Sequence, residues 1–295
     1  MSAAVLTSIL ADIKVAHSIF ALPFAAIGLL VGTRGQAPGW GLSLAILGSM
    51  ILARSAAMGF NRLVDHQFDV SNPRTAGRAL PSGRVSRQSM IVFVVSCSLG
   101  FVVLAGFLGE LCLLLSPVVL VVLFAYSLAK RVTTMAHVVL GFALALAPPA
   151  AYLAARGSIE SDVVGVLWFA LAVLLWVAGF DIIYACQDVD HDRKLGLYAV
   201  PAKFGTLRAL ALSRVLHLAM IGCLLVGAHA LHLETLTSAG IVATALILIV
   251  EHGLVRGGRL ERIDAAFFTM NGVVGLVFAG CVGSELILRA SQLWP

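Results

Sequence analysis

The chain has 295 residues, of which 60% are apolar and only 12% are charged, and its mean hydropathy is +1.00. Soluble domains carry about 25% charged residues, so this composition excludes an ordinary soluble protein and indicates an integral membrane protein. The formal net charge is +5, and no basic cluster or motif in the sequence points to nucleic-acid recognition.

Nine mostly apolar stretches follow one another along the chain. Most of them are near the roughly 20 residues that a membrane-spanning helix needs, and none has the regular alternation of a barrel strand. The sequence therefore predicts an all-α integral membrane protein, a bundle of about nine transmembrane helices in a single domain (residues 1–295). The stretches are 16–33, 39–60, 91–108, 111–129, 135–154, 163–186, 209–231, 236–250 and 265–288.

The basic residues predict the orientation of these helices. If the N-terminus is inside, all 20 Lys and Arg except Arg34, Arg156 and Arg289 fall in cytoplasmic segments or their flanks. Membrane proteins show this bias toward positive charge on the inside. We therefore expect a multi-pass protein of the inner (cytoplasmic) membrane with a cytoplasmic N-terminus.

Acidic residues gather first at the end of the second stretch, in NRLVDHQFD. Asn61, Asp65 and Asp69 are four residues apart, so they share one stripe if the helix continues that far. Arg54, seven residues before Asn61, falls on the same face about two turns deeper. An arginine inside an apolar helix needs an anionic partner, and an ion pair with one of the aspartates is one way to provide it.

A second acidic group ends the sixth stretch. On a continuous helix, Asp181, Asp188 and Asp192 fall on one narrow stripe with Tyr184 beside it, whereas Asp190 points away and is expected to be solvated. Both groups lie on the predicted cytoplasmic side. The second and sixth helices run in the same direction, so we expect their acidic ends to meet in one cavity.

Carboxylates at a membrane border repel one another unless positive charge lies among them. Their oxygens suit Mg²⁺, which keeps several waters and is often shared with substrate phosphates. Basic residues follow both acidic groups, and Mg²⁺ with surrounding Lys and Arg is how proteins hold a diphosphate. Arg74 and Arg78 follow the first acidic group, Lys203 follows the second, and Lys130 ends the fourth predicted stretch on the same side of the membrane.

Two other interpretations of the acidic groups stay open. The aspartates could form salt bridges with neighbouring arginines in solvated loops. Alternatively, the chain could be a divalent-cation transporter, although transporters usually show internal repeats with broken helices near the membrane midplane. The acidic stripes lie instead at one membrane face and are accompanied by basic groups.

Four motifs together resemble the UbiA superfamily of intramembrane prenyltransferases, in order and over nearly the whole chain. They are NxxxDxxxD (Asn61, Asp65, Asp69), the following NPRTAGRALPSG, YxxxKR (Tyr126, Lys130, Arg131) and DxxYAxxDxxxD (Asp181, Tyr184, Asp188, Asp192). The resemblance implies a helical bundle with a central cavity under a cytoplasmic cap, open to the lipid bilayer at its side.

The resemblance also implies roles for individual residues. Asp181 and Tyr184 would line the cavity near the reacting carbon, and Arg54 would pair with the carboxylate of an aromatic acceptor. The residues that would hold Mg²⁺ and the diphosphate of a polyprenyl donor are Asn61, Asp65, Asp69, Asp188 and Asp192. Those that would contact the substrates around them are Arg74, Arg78, Tyr126, Lys130 and Lys203.

Two further segments, DVDHDRKLGLYAVPAKFG and KVAHSIFALPFA, are similar to 4-hydroxybenzoate polyprenyltransferases and their close relatives. Some of those relatives prenylate a dihydroxynaphthoate in menaquinone synthesis by the futalosine route, and His17 belongs to that second likeness. The implied chemistry is attack of an electron-rich ring on an allylic cation. Asp181, released pyrophosphate or water would then take the ring proton.

Overall fold

The computed structural model describes residues 3–13, 20–73 and 75–291, and no strand occurs in this part of the chain. Its α-helices, in chain order, are α1 (Ala3–Asp12), α2 (Leu22–Gly32), α3 (Trp40–Ser71), α4 (Arg87–Leu108), α5 (Glu110–Ala129), α6 (Ala136–Ala145), α7 (Ala147–Arg156), α8 (Val163–Ala185), α9 (Val189–Lys194), α10 (Val200–Phe204), α11 (Thr206–Ala230), α12 (Thr235–Leu254) and α13 (Asn271–Ala290). A π-helical turn, Ala265–Met270, directly precedes α13.

Within the described residues, eight helical segments are long and apolar enough to cross a membrane. The prediction of an all-α membrane protein is therefore confirmed, and the number of spans is close to the nine expected. The difference lies in the first predicted stretch, 16–33, where the structure describes only α2, an apolar helix of 11 residues. Residues 14–19 lie outside the described part of the chain.

Two helical segments continue beyond their predicted apolar stretches. The helix predicted to end at residue 60 runs to Ser71, and the one predicted to end at residue 186 continues through a 3₁₀ turn, Cys186–Asp188, and α9 to Lys194. Hydropathy marks only the part of a helix that fits the lipid core, so polar turns beyond it are missed. Both extensions carry the predicted acidic motifs.

The chain divides into two compact units. The first unit consists of the described residues of Met1–Ser18 and Leu44–Leu128. Its core joins Ile9 of α1 and Ile13, which directly follows that helix, to buried side chains of α3, α4 and the loop between them. Close approach of α3 and α4 depends on Gly59, where an added Cβ would collide with Val94. Phe60 of α3 stacks on Phe124 of α5, with ring centroids 4.6 Å apart.

The second unit consists of the described residues of Ile19–Ser43 and Ala129–Pro295. Its centre is α8, which packs along α6 and α11, while α12 packs on α13 and α13 on α2. Small residues allow helices to approach closely inside a membrane. Gly141 of α6 lies against the backbone at Leu174 of α8, and Gly179 of α8 lies against the His217 ring of α11.

Candidate active site

The first acidic motif lies on the last turns of α3, in the first unit. Because the helix continues to Ser71, Asn61, Asp65 and Asp69 share one stripe, as the sequence predicted. The side-chain amide of Asn61 donates to Asp65 Oδ2 over 2.8 Å. The three side chains therefore line one face of the helix, and a hydrogen bond links the first two.

Asp69 is already neutralised by a basic side chain. It is buried, and Arg78 Nη1 lies 2.7 Å from its Oδ1 and 2.8 Å from its Oδ2. Thr75 Oγ1 donates to the Asp69 carbonyl over 3.1 Å, which ties the following loop to the end of α3. Arg78 thus contacts a motif residue, and its contact with a diphosphate stays a prediction.

Two arginines of α3 are largely buried and differ in their partners. Arg62 Nε lies 3.4 Å from Asp12 Oδ2 of α1, and Arg62 Nη1 donates to Asn61 Oδ1 over 3.0 Å. Arg54 Nε is buried without a hydrogen-bond partner, and no acidic side chain of the described residues forms an ion pair with Arg54. The ion pair considered for Arg54 is therefore not formed there, and Arg62, which the sequence analysis did not single out, has one instead.

Tyr126 lies near the end of α5, next to these arginines. Its hydroxyl donates to Met58 Sδ over 3.4 Å and is close enough to Arg54 and Arg62 for electrostatic interaction. The structure thus brings the predicted substrate-binding residues Tyr126 and Arg54 together in the first unit.

The second acidic motif, in the second unit, does not lie on one continuous α-helix. The 3₁₀ turn Cys186–Asp188 separates α8 from α9, and Asp188 itself has φ −102° and ψ 9°. The continuous α-helix expected at about 100° per residue is therefore interrupted, because a 3₁₀ turn advances about 120° per residue. That Asp181, Asp188 and Asp192 share one stripe stays a prediction. Asp192 is 4% exposed and its Oδ2 has no hydrogen-bond partner, whereas Asp190 is exposed as predicted.

Asp181 has a partner that the sequence analysis missed. His137, at the start of α6 and 1% exposed, places Nδ1 2.6 Å from Asp181 Oδ2. The Val200 amide donates to His137 Nε2 over 3.4 Å, so Nδ1 carries the proton and donates to the carboxylate. A histidine inside an apolar stretch is itself unusual, and that was the available sequence signal.

Tyr184 lies one turn after Asp181 on α8 and faces an aromatic surface. Its ring centroid is 4.1 Å from that of Phe267 and 6.1 Å from that of Phe268, both on the π-helical turn. All three rings are only partly buried. An aromatic wall therefore adjoins the predicted catalytic residues in the second unit.

The predicted basic residues have different surroundings. Lys130 is close enough to Asp181 and Asp192 for electrostatic interaction, and its carbonyl accepts from the Tyr198 amide over 2.8 Å. Lys203 is exposed, with Nζ 5.7 Å from the centre of the Phe204 ring. Arg74 and His17 lie outside the described residues.

Comparison with known proteins identifies the family. The model of the UbiA prenyltransferase family matches residues 21–273. The chain belongs to this family. The prediction of an intramembrane prenyltransferase is confirmed, and the family assignment argues against the divalent-cation transporter.

Curated relatives of this UbiA family member have similar length. A 4-hydroxybenzoate octaprenyltransferase of Aliivibrio fischeri (strain MJ11) is 30% identical over 273 residues, covering 91% of this chain and 90% of that protein. A 4-hydroxybenzoate octaprenyltransferase of Aeromonas hydrophila is 32% identical over 248 residues, covering 82% of this chain and 83% of that protein.

Solved structures agree with the fold of this UbiA family member. The apo structure of a UbiA homologue from Aeropyrum pernix K1 has a TM-score of 0.81 and 32% identity, covering 94% of this chain and 98% of that one. A UbiA homologue from Archaeoglobus fulgidus, bound to GPP and Mg²⁺, has a TM-score of 0.75, with 95% and 99% of the two chains covered. Its identity is 21%, so this likeness concerns the fold alone.

The donors in each acidic motif fit Mg²⁺. Mg²⁺ is usually held by one or two carboxylates, with water and phosphate oxygens completing its shell. Each motif carries two carboxylates, of which Asp69 is already paired with Arg78. The buried, unpartnered Oδ2 of Asp192 is the kind of oxygen that a cation would satisfy. No group of three or more His, Cys, Asp or Glu converges among the described residues, so the protein supplies part of a shell that substrate and water would complete.

Proposed function

We propose that this UbiA family member transfers a polyprenyl group from its diphosphate to the ring of a small aromatic acid such as 4-hydroxybenzoate, in quinone biosynthesis. The observation that carries this proposal is the Arg54 guanidinium in the first unit, whose buried Nε has no hydrogen-bond partner. The relatives from Aliivibrio fischeri and Aeromonas hydrophila bear the name of that acceptor.

A charged group inside a membrane helix is costly unless it has a partner or reaches water. Arg54 forms no ion pair with the described acidic side chains, although Asp12 and Asp69 of the same unit each pair with another arginine. The carboxylate of an aromatic acid would supply the missing anion, and a guanidinium can bind it with two parallel hydrogen bonds. Tyr126, close to Arg54, would limit the position of the ring.

We propose that the two acidic motifs and the neighbouring basic residues bind the diphosphate of the donor. Asn61, Asp65 and Asp69 of the first unit and Asp188 and Asp192 of the second unit would hold Mg²⁺. When bound, Mg²⁺ neutralises negative charge on the leaving diphosphate. The basic side chains that would contact the diphosphate oxygens directly are Arg74, Arg78, Lys130 and Lys203.

Asp181 would accept the ring proton at the end of the reaction. The C–O bond of the donor breaks with its electron pair leaving on the diphosphate, and the ring then forms a C–C bond to the allylic carbon. His137 Nδ1–H holds Asp181 Oδ2, and Asp181 Oδ1 forms no hydrogen bond within the described residues. That oxygen is the one we assign to proton removal, because a general base must reach the proton it abstracts.

A dihydroxynaphthoate is the second acceptor that we propose to test, because the segment KVAHSIFALPFA resembles relatives that use one.

We also propose that the protein lies in the inner (cytoplasmic) membrane with its N-terminus in the cytoplasm, as the distribution of Lys and Arg favours. A long polyprenyl tail stays in lipid, since each buried CH₂ contributes about 0.8 kcal/mol. The protein must therefore bind its donor within the bilayer.

The test is a prenyl-transfer assay on purified protein in lipid nanodiscs, with Mg²⁺, a polyprenyl diphosphate and either 4-hydroxybenzoate or a dihydroxynaphthoate. We expect carbon-prenylated 4-hydroxybenzoate, no product after chelation by EDTA, and recovery on adding Mg²⁺. Product from the naphthoate alone would move the enzyme to menaquinone synthesis. Folded protein that prenylates neither acid would refute the proposal, and Asp188→Asn is the matched inactive control.

A further inference from the structure

A buried polar network in the second unit has no role in the reaction described so far. Its centre is Asn271, the first residue of α13, which is fully buried together with Trp176 of α8 and Glu251 of α12. Trp176 Nε1 donates to Asn271 Oδ1 over 2.6 Å, and Asn271 Nδ2 donates to Glu251 Oε1 over 3.0 Å. An indole N–H can only donate, so the amide orientation of Asn271 is fixed.

The same amide nitrogen also satisfies the backbone of the π-helical turn Ala265–Met270. Asn271 Nδ2 lies 3.1 Å from the Ala266 carbonyl and 3.0 Å from the Phe267 carbonyl. A π-turn replaces i→i+4 hydrogen bonds by wider i→i+5 bonds and often marks a functional site. Because one amide hydrogen goes to Glu251, the two carbonyls share the other hydrogen. This shared donor ties the wide turn to the start of α13 and favours it over a regular α-helical turn.

The register of this turn decides where its aromatic side chains lie. Adding or removing one residue in a helix rotates the side chains before that point by about 100° relative to the side chains after it. With the turn as observed, Phe267 lies 4.1 Å from Tyr184 and 4.6 Å from Phe268, centroid to centroid. A regular α-helix into α13 would turn both phenylalanines away from Tyr184.

We propose that Asn271 is a positioning residue for prenyl transfer: it holds the π-turn so that Phe267 and Phe268 form, with Tyr184, an aromatic wall for the allylic carbon of the donor. This inference rests on the proposed function. The face of an aromatic ring attracts positive charge, and positive charge develops on the allylic carbon as the C–O bond breaks. Asn271 itself touches neither substrate and acts through Phe267.

A double-mutant cycle tests the inference. We expect Asn271→Leu and Phe267→Leu each to lower kcat about tenfold, the size of a partly desolvated cation–π contact, with both KM values within about twofold of wild type. Because Asn271 acts through Phe267, the double variant should be no slower than the slower single variant. Thr244→Val, which alters another fully buried polar residue of this unit, is the control with unchanged kcat. Unchanged kcat in Asn271→Leu, or losses that multiply in the double variant, would overturn the inference.

Hydrogen exchange supplies a readout that does not depend on turnover. Amides of residues 265–271 should exchange faster in Asn271→Leu than in wild type, while those of α8 stay protected. Equal exchange rates of residues 265–271 in the variant and in wild type would contradict the proposal that Asn271 holds the π-turn. If Asn271→Leu does not fold, Trp176→Phe removes only the indole donor and should lower kcat about threefold, again without adding to Phe267→Leu.

Hydrolysis of geranyl diphosphate tests the role of Asn271 independently of the proposed aromatic acceptor. Release of pyrophosphate from geranyl diphosphate, with water as the nucleophile and geraniol as the other product, needs no aromatic acid. The same double-mutant cycle on this slow hydrolysis should show the same lack of additivity even if no aromatic acid is prenylated. Multiplying losses in that assay would refute the positioning role.

Discussion

At the scale of single residues, the pair formed by His137 and Asp181 leads to a sharp prediction. Asparagine can place its side-chain N–H where His137 Nδ1–H lies, so His137→Asn should keep kcat within about threefold of wild type. His137→Leu leaves Asp181 without this donor and should lower kcat roughly tenfold or more, since an unoriented base loses much of its effect. Single-turnover kinetics with saturating substrates would measure both variants, and equal rates in the two would remove His137 from the mechanism.

Arg54 gives a second prediction at this scale, because its buried Nε lacks a partner. Arg54→Ala should raise KM for 4-hydroxybenzoate about 10- to 100-fold, the range for a hydrogen bond to a charged group, while KM for the prenyl diphosphate changes little. Phenol, which lacks the carboxylate, should react equally poorly with wild type and variant. A parallel rise in both KM values would instead assign Arg54 to the diphosphate.

The sequence predicted which residues belong to the candidate site where a motif contains them. It did not predict which distant residues these side chains contact. Asn61 and Asp65 fall on one stripe as the spacing indicated. By contrast, His137 and Asp181 are 44 positions apart, and nothing in a single sequence says which distant polar groups meet inside the membrane. The same holds for His217 and His252, which are 35 positions apart and whose ring nitrogens lie 3.0 Å apart in the second unit.

At the scale of helices, the sequence predicted where most spans lie but not where helices change type. Hydropathy cannot register the 3₁₀ turn Cys186–Asp188 or the π-turn Ala265–Met270, because it reports side-chain polarity and not the pattern of backbone hydrogen bonds. Hydrogen bonds from distant residues, such as Asn271 to the Phe267 carbonyl, help to decide the local geometry. Both turns adjoin predicted catalytic residues, where local irregularity is common.

Helix packing in the second unit depends on glycine at one contact in particular. A Cβ on Gly179 of α8 would overlap the His217 ring of α11, whereas a Cβ on Gly222 of α11 would meet nothing within 4 Å. Gly179→Ala should therefore destabilise the protein by about 1–3 kcal/mol through overpacking. Gly222→Ala should leave stability unchanged or slightly raise it. Thermal unfolding in detergent would compare the two variants. Equal melting temperatures would mean that α8 and α11 can move apart without lowering the free energy of unfolding.

At the scale of the whole molecule, composition was enough to predict a membrane protein and its helical class, since lipid leaves a backbone few ways to satisfy its polar groups. The arrangement of the two acidic motifs in one cavity, and the cytoplasmic cap, stay predictions. The first motif belongs to the first unit and the second to the second unit, and residue spacing along a helix says nothing about distances between separate helices.

The orientation in the membrane provides the last prediction. Arg156 is one of three basic residues on the predicted outer side, whereas the segment with Arg256, Arg259 and Arg262 is strongly basic and should face the cytoplasm. Ser158 and Glu261 are both exposed in these segments of the second unit. In intact cells, a membrane-impermeant maleimide should label Ser158→Cys but not Glu261→Cys, and permeabilised cells should label both. The parent chain, whose five cysteines lie in apolar segments, measures the background. Labelling of Glu261→Cys alone in intact cells would invert the topology and place the acidic motifs on the outer face.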